Sequence, residues 1–360
     1  MFRSSLKRLA LAVLVSGITT VHAADDYILN TASTGGTYHP VGTAIATLSK
    51  VKLLPKQKFS LTAVNSAGSG ANVQALASGN AQFAILQGLF GSYAATGTGP
   101  VSEKQENLRS VSMLWQNVEQ FILSKDLLSG GTVSDMLAAR GEIMVMGKEN
   151  SGTLGSNSVL IEGLAGEELS ELYQLNYAGY GPSADALANG QAVGGGFPSG
   201  PPTSAITKLL SANGDKFSLL NVTSEELSAM DGGRNLWTPY TIAAGTYPGQ
   251  DSDIQTIAQP NFLAANADVN EEHVYQLTKT IYENLPFLQA IHKATMAMDV
   301  DRALDGLPVP LHPGALRYYQ EVGVQIPAQL VGASDAAAYS DEELEKAGWT
   351  ADQIKELRSR

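Results

Sequence analysis

Residues 75–81, ALASGNA, return at 186–192 as ALANGQA, five of seven identical, the exchanges being Ser for Asn and Asn for Gln. In both copies a glycine, Gly79 or Gly190, falls where a helix takes a left-handed cap residue. The surroundings match as well. FSLTAVN (59–65) reads as a strand, SAGSG as a loop, ANVQALASG as a helix and AQFAILQG as a strand; later LYQLNYA (172–178), GYGP, SADALANG and QAVGGGF run in the same order. Each unit is preceded by one more strand and glycine loop. YILNTA (Tyr27 to Ala32) leads through STGGTY to a helix with Pro40 as its first residue, and EIMVMG (142–147) leads through KENSGT to LGSNSVLIEGL. Such a repeat confines the chain to an α/β architecture of two similar lobes.

The connection between the lobes, ENLRSVSMLWQNVEQFILS (106–124), is rich in β-branched and aromatic residues and reads as one long strand. Beyond the second lobe, residues 237–266 supply extended segments broken by turns, and helices are expected over 270–295 and 312–323. Ser340 with Glu343 and Thr350 with Gln353 form capping boxes in a polar tail. The expected organisation is a leader over 1–23, the first part of lobe 1 over 24–117, lobe 2 over 118–256, a return to lobe 1 with C-terminal helices over 257–330, and the helical tail over 331–360.

The leader follows from Arg3, Lys7 and Arg8 ahead of an apolar run from Leu9 to Ile18, ending in Val21-His22-Ala23. That run is too short to span a bilayer, so a secretory signal cleaved after Ala23 or Ala24 is expected, and with it a periplasmic location. Loss of the three basic leader residues takes the net charge from −12 to −15. Nucleic acid and anionic membrane surfaces are poor partners for such a chain. With no cysteine, neither a disulfide framework nor a thiolate site is available.

A strand feeding a Gly/Ser loop that opens a helix presents unpaired N–H groups at the positive end of the helix dipole. That is an anion site without a cation. STGGT and SAGSG in one lobe, and NSGT and GYGPS in the other, are four such loops. In doubly wound sheets they gather at the carboxyl ends of the strands, so they describe a cleft gripping a small organic anion from both sides. Replacing Gly35 or Gly36 by a bulkier residue is expected to block the approach of the backbone to that anion. Lys148 either adds a charge to the cleft or is an exposed loop lysine. Tyr38, Phe197, Tyr240 and Tyr247 either wall the cleft or pack in the core. Gly194-Gly195-Gly196 weakens a strand unless a backbone or ligand comes close, which would place Phe197 and Pro198 at the mouth. No nucleophile elbow, phosphate loop or metal-ligand spacing is present, so no catalytic residue, metal or cofactor is assigned.

The stretches STGGTYHPVGTAIATL, AGSGANVQALASGNAQFAILQ, GKENSGT, AAGTYPGQDSDIQTIAQPNFLAAN, HVYQLTKTIYENL and LPVPLHPGALRYYQEVG resemble the TAXI family, the extracytoplasmic solute receptors of TRAP transporters. The resemblance implies a two-lobed type II periplasmic binding-protein fold with hinge strands, which closes on a glutamate-like solute or a related diacid. It also implies docking on TRAP membrane permease subunits driven by an ion gradient. Carried onto this sequence, the family's ligand contacts point to Ser33, Thr34, Gly35, Gly36, Thr37 and Tyr38, to Ser69, Asn72 and Gln87, and to Ser151, Gly152 and Thr153. The chain departs from the family at Lys148-Glu149-Asn150 and at Val193-Gly194-Gly195, both on the second-lobe side. A lysine facing the cleft would favour a second carboxylate on the solute. Alternatives are an ABC-importer receptor for sulfonates or similar anions, a solute sensor for a membrane kinase, and an exported hydrolase.

Overall fold

The structure is a computed structural model that describes residues 24–332, 340–346 and 349–358. The expected leader over 1–23 lies outside the described residues. No helix among them is long and apolar enough to cross a membrane.

Along the chain the strands are β1 (Asp25–Asn30), β2 (Phe59–Val64), β3 (Phe83–Gln87), β4 (Leu108–Val118), β5 (Phe121–Ser124), β6 (Ile143–Val145), β7 (Gln174–Leu175), β8 (Gly194–Gly196), β9 (Phe217–Leu219), β10 (Thr238–Ile242) and β11 (Ile254–Asn266). They form two sheets. The first runs β10-β11-β3-β1-β2, with β4 also paired to β11; the second runs β7-β6-β8-β5-β9. In each, parallel strands joined by helices lie beside antiparallel partners: β1 is parallel to β2 and β3, while β11 is antiparallel to β3, β4 and β10. In the second sheet β6 is parallel to β7 and β8, and β5 is antiparallel to β8 and β9. The fold is therefore two-lobed α/β, one lobe per sheet.

The long strand expected over 106–124 is instead two strands in different sheets. Val118 still pairs with Ala258 in the first sheet, and Phe121 already pairs with Gly196 in the second. Between them the Glu119 N–H donates to the Ile257 carbonyl, and the Gln120 side chain donates to the Phe197 and Ser199 carbonyls. Apolar residues on both sides of this break are buried in one lobe or the other, so composition carries no mark of the change of sheet. The chain returns through Trp237 and β10. Leu89, Trp237 and Ile257 pack in the core of the second lobe although the helix of Leu89, the strand that follows Trp237 and the strand of Ile257 belong to the first.

Two other expectations shift. The strand drawn over 172–178 shrinks to Gln174–Leu175, and helices start earlier than the loops suggested, at Tyr38, Ser69 and Tyr180. Loop glycines and serines thus lie in first helical turns. The triple glycine of β8 is explained by packing. A Cβ at Gly195 would sit 2.1 Å from the Val145 carbonyl oxygen, and one at Gly196 would sit 2.0 Å from Asn157 Oδ1. Beside the expected tail, both capping boxes form: Glu343 N donates to Ser340 Oγ and Gln353 N to Thr350 Oγ1.

Candidate functional site

Four helices begin at the seam between the lobes. Tyr38–Lys52 and Ser69–Ala77 come from the first lobe, and Gly152–Ala165 and Tyr180–Ala188 from the second. The first residues of all four line one cavity of about 40 Å³. An α-helix leaves its first N–H groups without intrahelical acceptors, and side-chain caps usually take some of them. Here Thr37, Gly68 and Gly179, which precede three of the four helices, supply no side-chain cap; only Ser151 does, accepting from the Leu154 N–H. Aligned dipoles and uncapped amides make the cavity electropositive without a formal cation.

The lobes are in contact around it. Thr37 Oγ1 donates to the Gly200 carbonyl at 2.9 Å, Gln87 Nε2 to the Gly152 carbonyl at 3.0 Å, and Ser204 Oγ to the Gly35 carbonyl at 2.9 Å. Asn150, with a left-handed φ of 56°, accepts the Ala71 N–H on its carbonyl and donates its side-chain amide to Gln74. Glycines permit this approach. A Cβ on Gly36 would lie 2.8 Å from the Tyr180 ring, and one on Gly152 would lie 2.5 Å from Gln87 Oε1.

Of the residues singled out in the sequence, Ser33, Gly36, Thr37 and Tyr38 lie on the cavity wall, as do Ser69, Gln87, Gly152 and Thr153. The others lie elsewhere. Thr34 is exposed and Gly35 turns its carbonyl to Ser204 and Ala205. Asn72 is buried behind the wall, its amide donating to the Thr31 and Ile85 carbonyls and so tying β1 to β3. Ser151 is spent on its own helix. Lys148 is exposed and outside the wall, with its carbonyl accepting from Ser151. Phe197 is buried behind Tyr180, ring centroids 5.5 Å apart and edge to face. Tyr240 packs half-buried against the second-lobe core, and Tyr247 is buried with its hydroxyl accepting from the Thr203 N–H.

Sequence reasoning missed Tyr180 and Ser199 as wall residues, together with Gly68 and the flanking Ala32 and Ala67, whereas Pro198, expected at the mouth, does lie on the wall. The signal for Tyr180 was the GYGP loop itself, whose aromatic residue turns into the cavity only because a facing lobe exists. Burial raises the pKa of the Tyr38 and Tyr180 hydroxyls well above the usual phenol value, so both are proton donors. Tyr38 donates to Asn261 Oδ1, and Tyr180 to the Pro198 carbonyl.

Behind the wall sits a group with no sequence signal at all. Glu119, fully buried at the crossing between β4 and β5, accepts on Oε1 from Ser156 Oγ at 2.5 Å, Trp237 Nε1 at 2.9 Å and Gln259 Nε2 at 3.4 Å. Its Oε2 has no hydrogen-bond partner. Burial pushes its pKa up to about 7 against the opposing pull of those three hydrogen bonds.

A family model described as the NMT1-like family matches residues 29–323. Among solved structures, the chain is similar to the periplasmic aliphatic sulphonate binding protein SsuA from Escherichia coli, with 13% identity, 83% of this chain and 91% of that one covered, and a TM-score of 0.42. A TctC solute binding protein from Polaromonas is 19% identical over 77% of this chain and 88% of its own, with a TM-score of 0.43. The periplasmic binding protein BugD is 16% identical over 91% and 98%, with a TM-score of 0.49.

Proposed function

The chain belongs to the NMT1-like family, and from that premise we propose that it is an extracytoplasmic solute receptor, not an enzyme. It captures a small carboxylate of the C4–C6 class between its lobes and delivers it to a TRAP permease. The observation that carries this reading is the meeting of four helix N-termini, two from each lobe and three of them without a side-chain cap, on one cavity. An anion placed there accepts hydrogen bonds from both lobes at once, so its binding free energy favours the closed arrangement over the open one. The site residues that would hold it are the first-turn groups from Gly36 to Tyr38, Ser69, and Gly152 with Thr153. The TAXI resemblance supports the choice of a TRAP permease and, with the leader, a periplasmic location.

The test has two stages. Millimolar carboxylates are expected to raise the melting temperature by several degrees, because a ligand at 100 times its Kd adds about 2.7 kcal/mol to the folded state. Failure of every small anion to stabilise the protein would sink the receptor reading. With the binding solute radiolabelled, uptake by cells carrying the receptor and its permease is expected to collapse with an ionophore and to survive ATP depletion. The reverse pattern would reassign the receptor to an ABC importer.

A further inference from the structure

We infer that the solute carries a single anionic group and no ammonium: a short aliphatic monocarboxylate, not an amino acid or a diacid. This rests on the receptor reading above and narrows it against the glutamate-like expectation. Its basis is the charge of the cavity wall. Alanine, serine, glycine, threonine, tyrosine, glutamine and proline form it, and among the described residues no Lys, Arg, His, Asp or Glu lines it.

An α-ammonium in this cavity would face positive helix ends with no carboxylate beside it. The carboxyl group behind the wall, Glu119, turns Oε1 to Ser156, Trp237 and Gln259, and although its Oε2 has no hydrogen-bond partner, the residue does not line the cavity. A second carboxylate would meet the opposite shortage. Thr37 donates to the Gly200 carbonyl, Gln87 to the Gly152 carbonyl, Tyr180 to the Pro198 carbonyl, Tyr38 to Asn261 and Ser199 to the Phe197 carbonyl, which leaves only uncharged hydroxyls such as those of Ser33 and Ser69 to meet it. Lys148, the cation that a place in the cleft would have let pair with it, stands exposed outside the wall. Burying a charge without partners costs far more than a methyl group in the same place, which gains from contact with apolar surface. Ala32, Ala67, Pro198 and the rings of Tyr38 and Tyr180 offer that surface. What remains unspent is a cluster of main-chain amides with the neutral Ser33 and Ser69 hydroxyls, and no formal cation to match a second negative charge.

Calorimetric titration of the exported protein with five-carbon acids that differ only in charge tests this directly. Pentanoate is expected to bind at least tenfold more tightly than glutarate, norvaline or glutamate. Equal or tighter binding of any of those three overturns the inference and leaves the receptor reading intact. Butane-1-sulfonate in the same series separates the two monoanion chemistries, and its binding more tightly than pentanoate overturns the carboxylate assignment. Absence of binding by all of these acids and by their two- to six-carbon homologues overturns both the inference and the receptor reading.

Discussion

Gly36→Val and Gly152→Val are each expected to weaken solute binding at least 100-fold, about 2.7 kcal/mol, while the melting temperature of the solute-free protein stays within a few degrees of wild type. The added side chains have no room only when the lobes meet. The Cβ of residue 36 would press within 2.8 Å of the Tyr180 ring, and that of residue 152 within 2.5 Å of Gln87 Oε1 and 2.8 Å of Ser69 Oγ. In each pair the obstacle belongs to the facing lobe. Gln87 cannot swing aside cheaply, because it is buried and its amide is held by the Gly152 carbonyl while its Oε1 accepts from Asn117. Overpacking of a filled interior costs about 1–3 kcal/mol for small additions, and a branched side chain at these distances lies at or beyond the upper end. Opening the lobes relieves the clash, so the cost falls on the closed state alone. Calorimetric titration together with thermal unfolding separates the outcomes. A fall in melting temperature as large as the loss of affinity would mean that these glycines serve folding and not closure.

Between pH 4.5 and pH 7, Glu119 makes the wild type progressively less stable than a Glu119→Gln variant. Burial in the folded protein pushes its carboxyl group up to about 7 from the ordinary value of 4.5. The folded chain therefore holds a proton that the unfolded chain has released. Stability from this group is fully present below pH 4.5, is lost as pH rises to about 7, and changes no further above that. The loss is on the order of 3 kcal/mol. Urea unfolding of both proteins from pH 4.5 to pH 8 is expected to show a difference that grows with pH and then levels off. Carboxylates with lowered pKa values, such as Asp135 and Glu226, act at lower pH and equally in both proteins, so they cancel in the comparison. Parallel curves would show that Glu119 ionises normally. Glu119 also ties the crossing between β4 and β5 to Ser156 and Trp237.

Within the two repeated units the order of strands, loops and helices was legible because it depends on local pattern: apolar runs for β1, β2, β3 and β6, and Gly/Ser breaks before the helices that follow them. The meeting of four helix N-termini was legible from the repeat, since equivalent loops of two similar lobes come to equivalent ends of their sheets. What could not be read depends on contacts between residues far apart in sequence. Asn72 and Ser151 look like Ser69 and Thr153 in the sequence, yet their side chains turn to the Thr31 and Ile85 carbonyls and to the Leu154 N–H. Tyr180 acquires its place only from the opposing glycine at 36. The break at Glu119-Gln120 is hidden because a strand entering one core and a strand entering another carry the same kinds of residue. The triple glycine of β8 called for a close neighbour, and the neighbours are Val145 and Asn157.

A crystal structure of the protein with its bound solute tests the central claim most directly. The expected result is one carboxylate whose oxygens lie within about 3 Å of main-chain N–H groups from both the Gly36–Tyr38 or Ser69–Gly70 turns and the Gly152–Thr153 turn. A solute held by lysine or arginine side chains, or touching one lobe only, would contradict it.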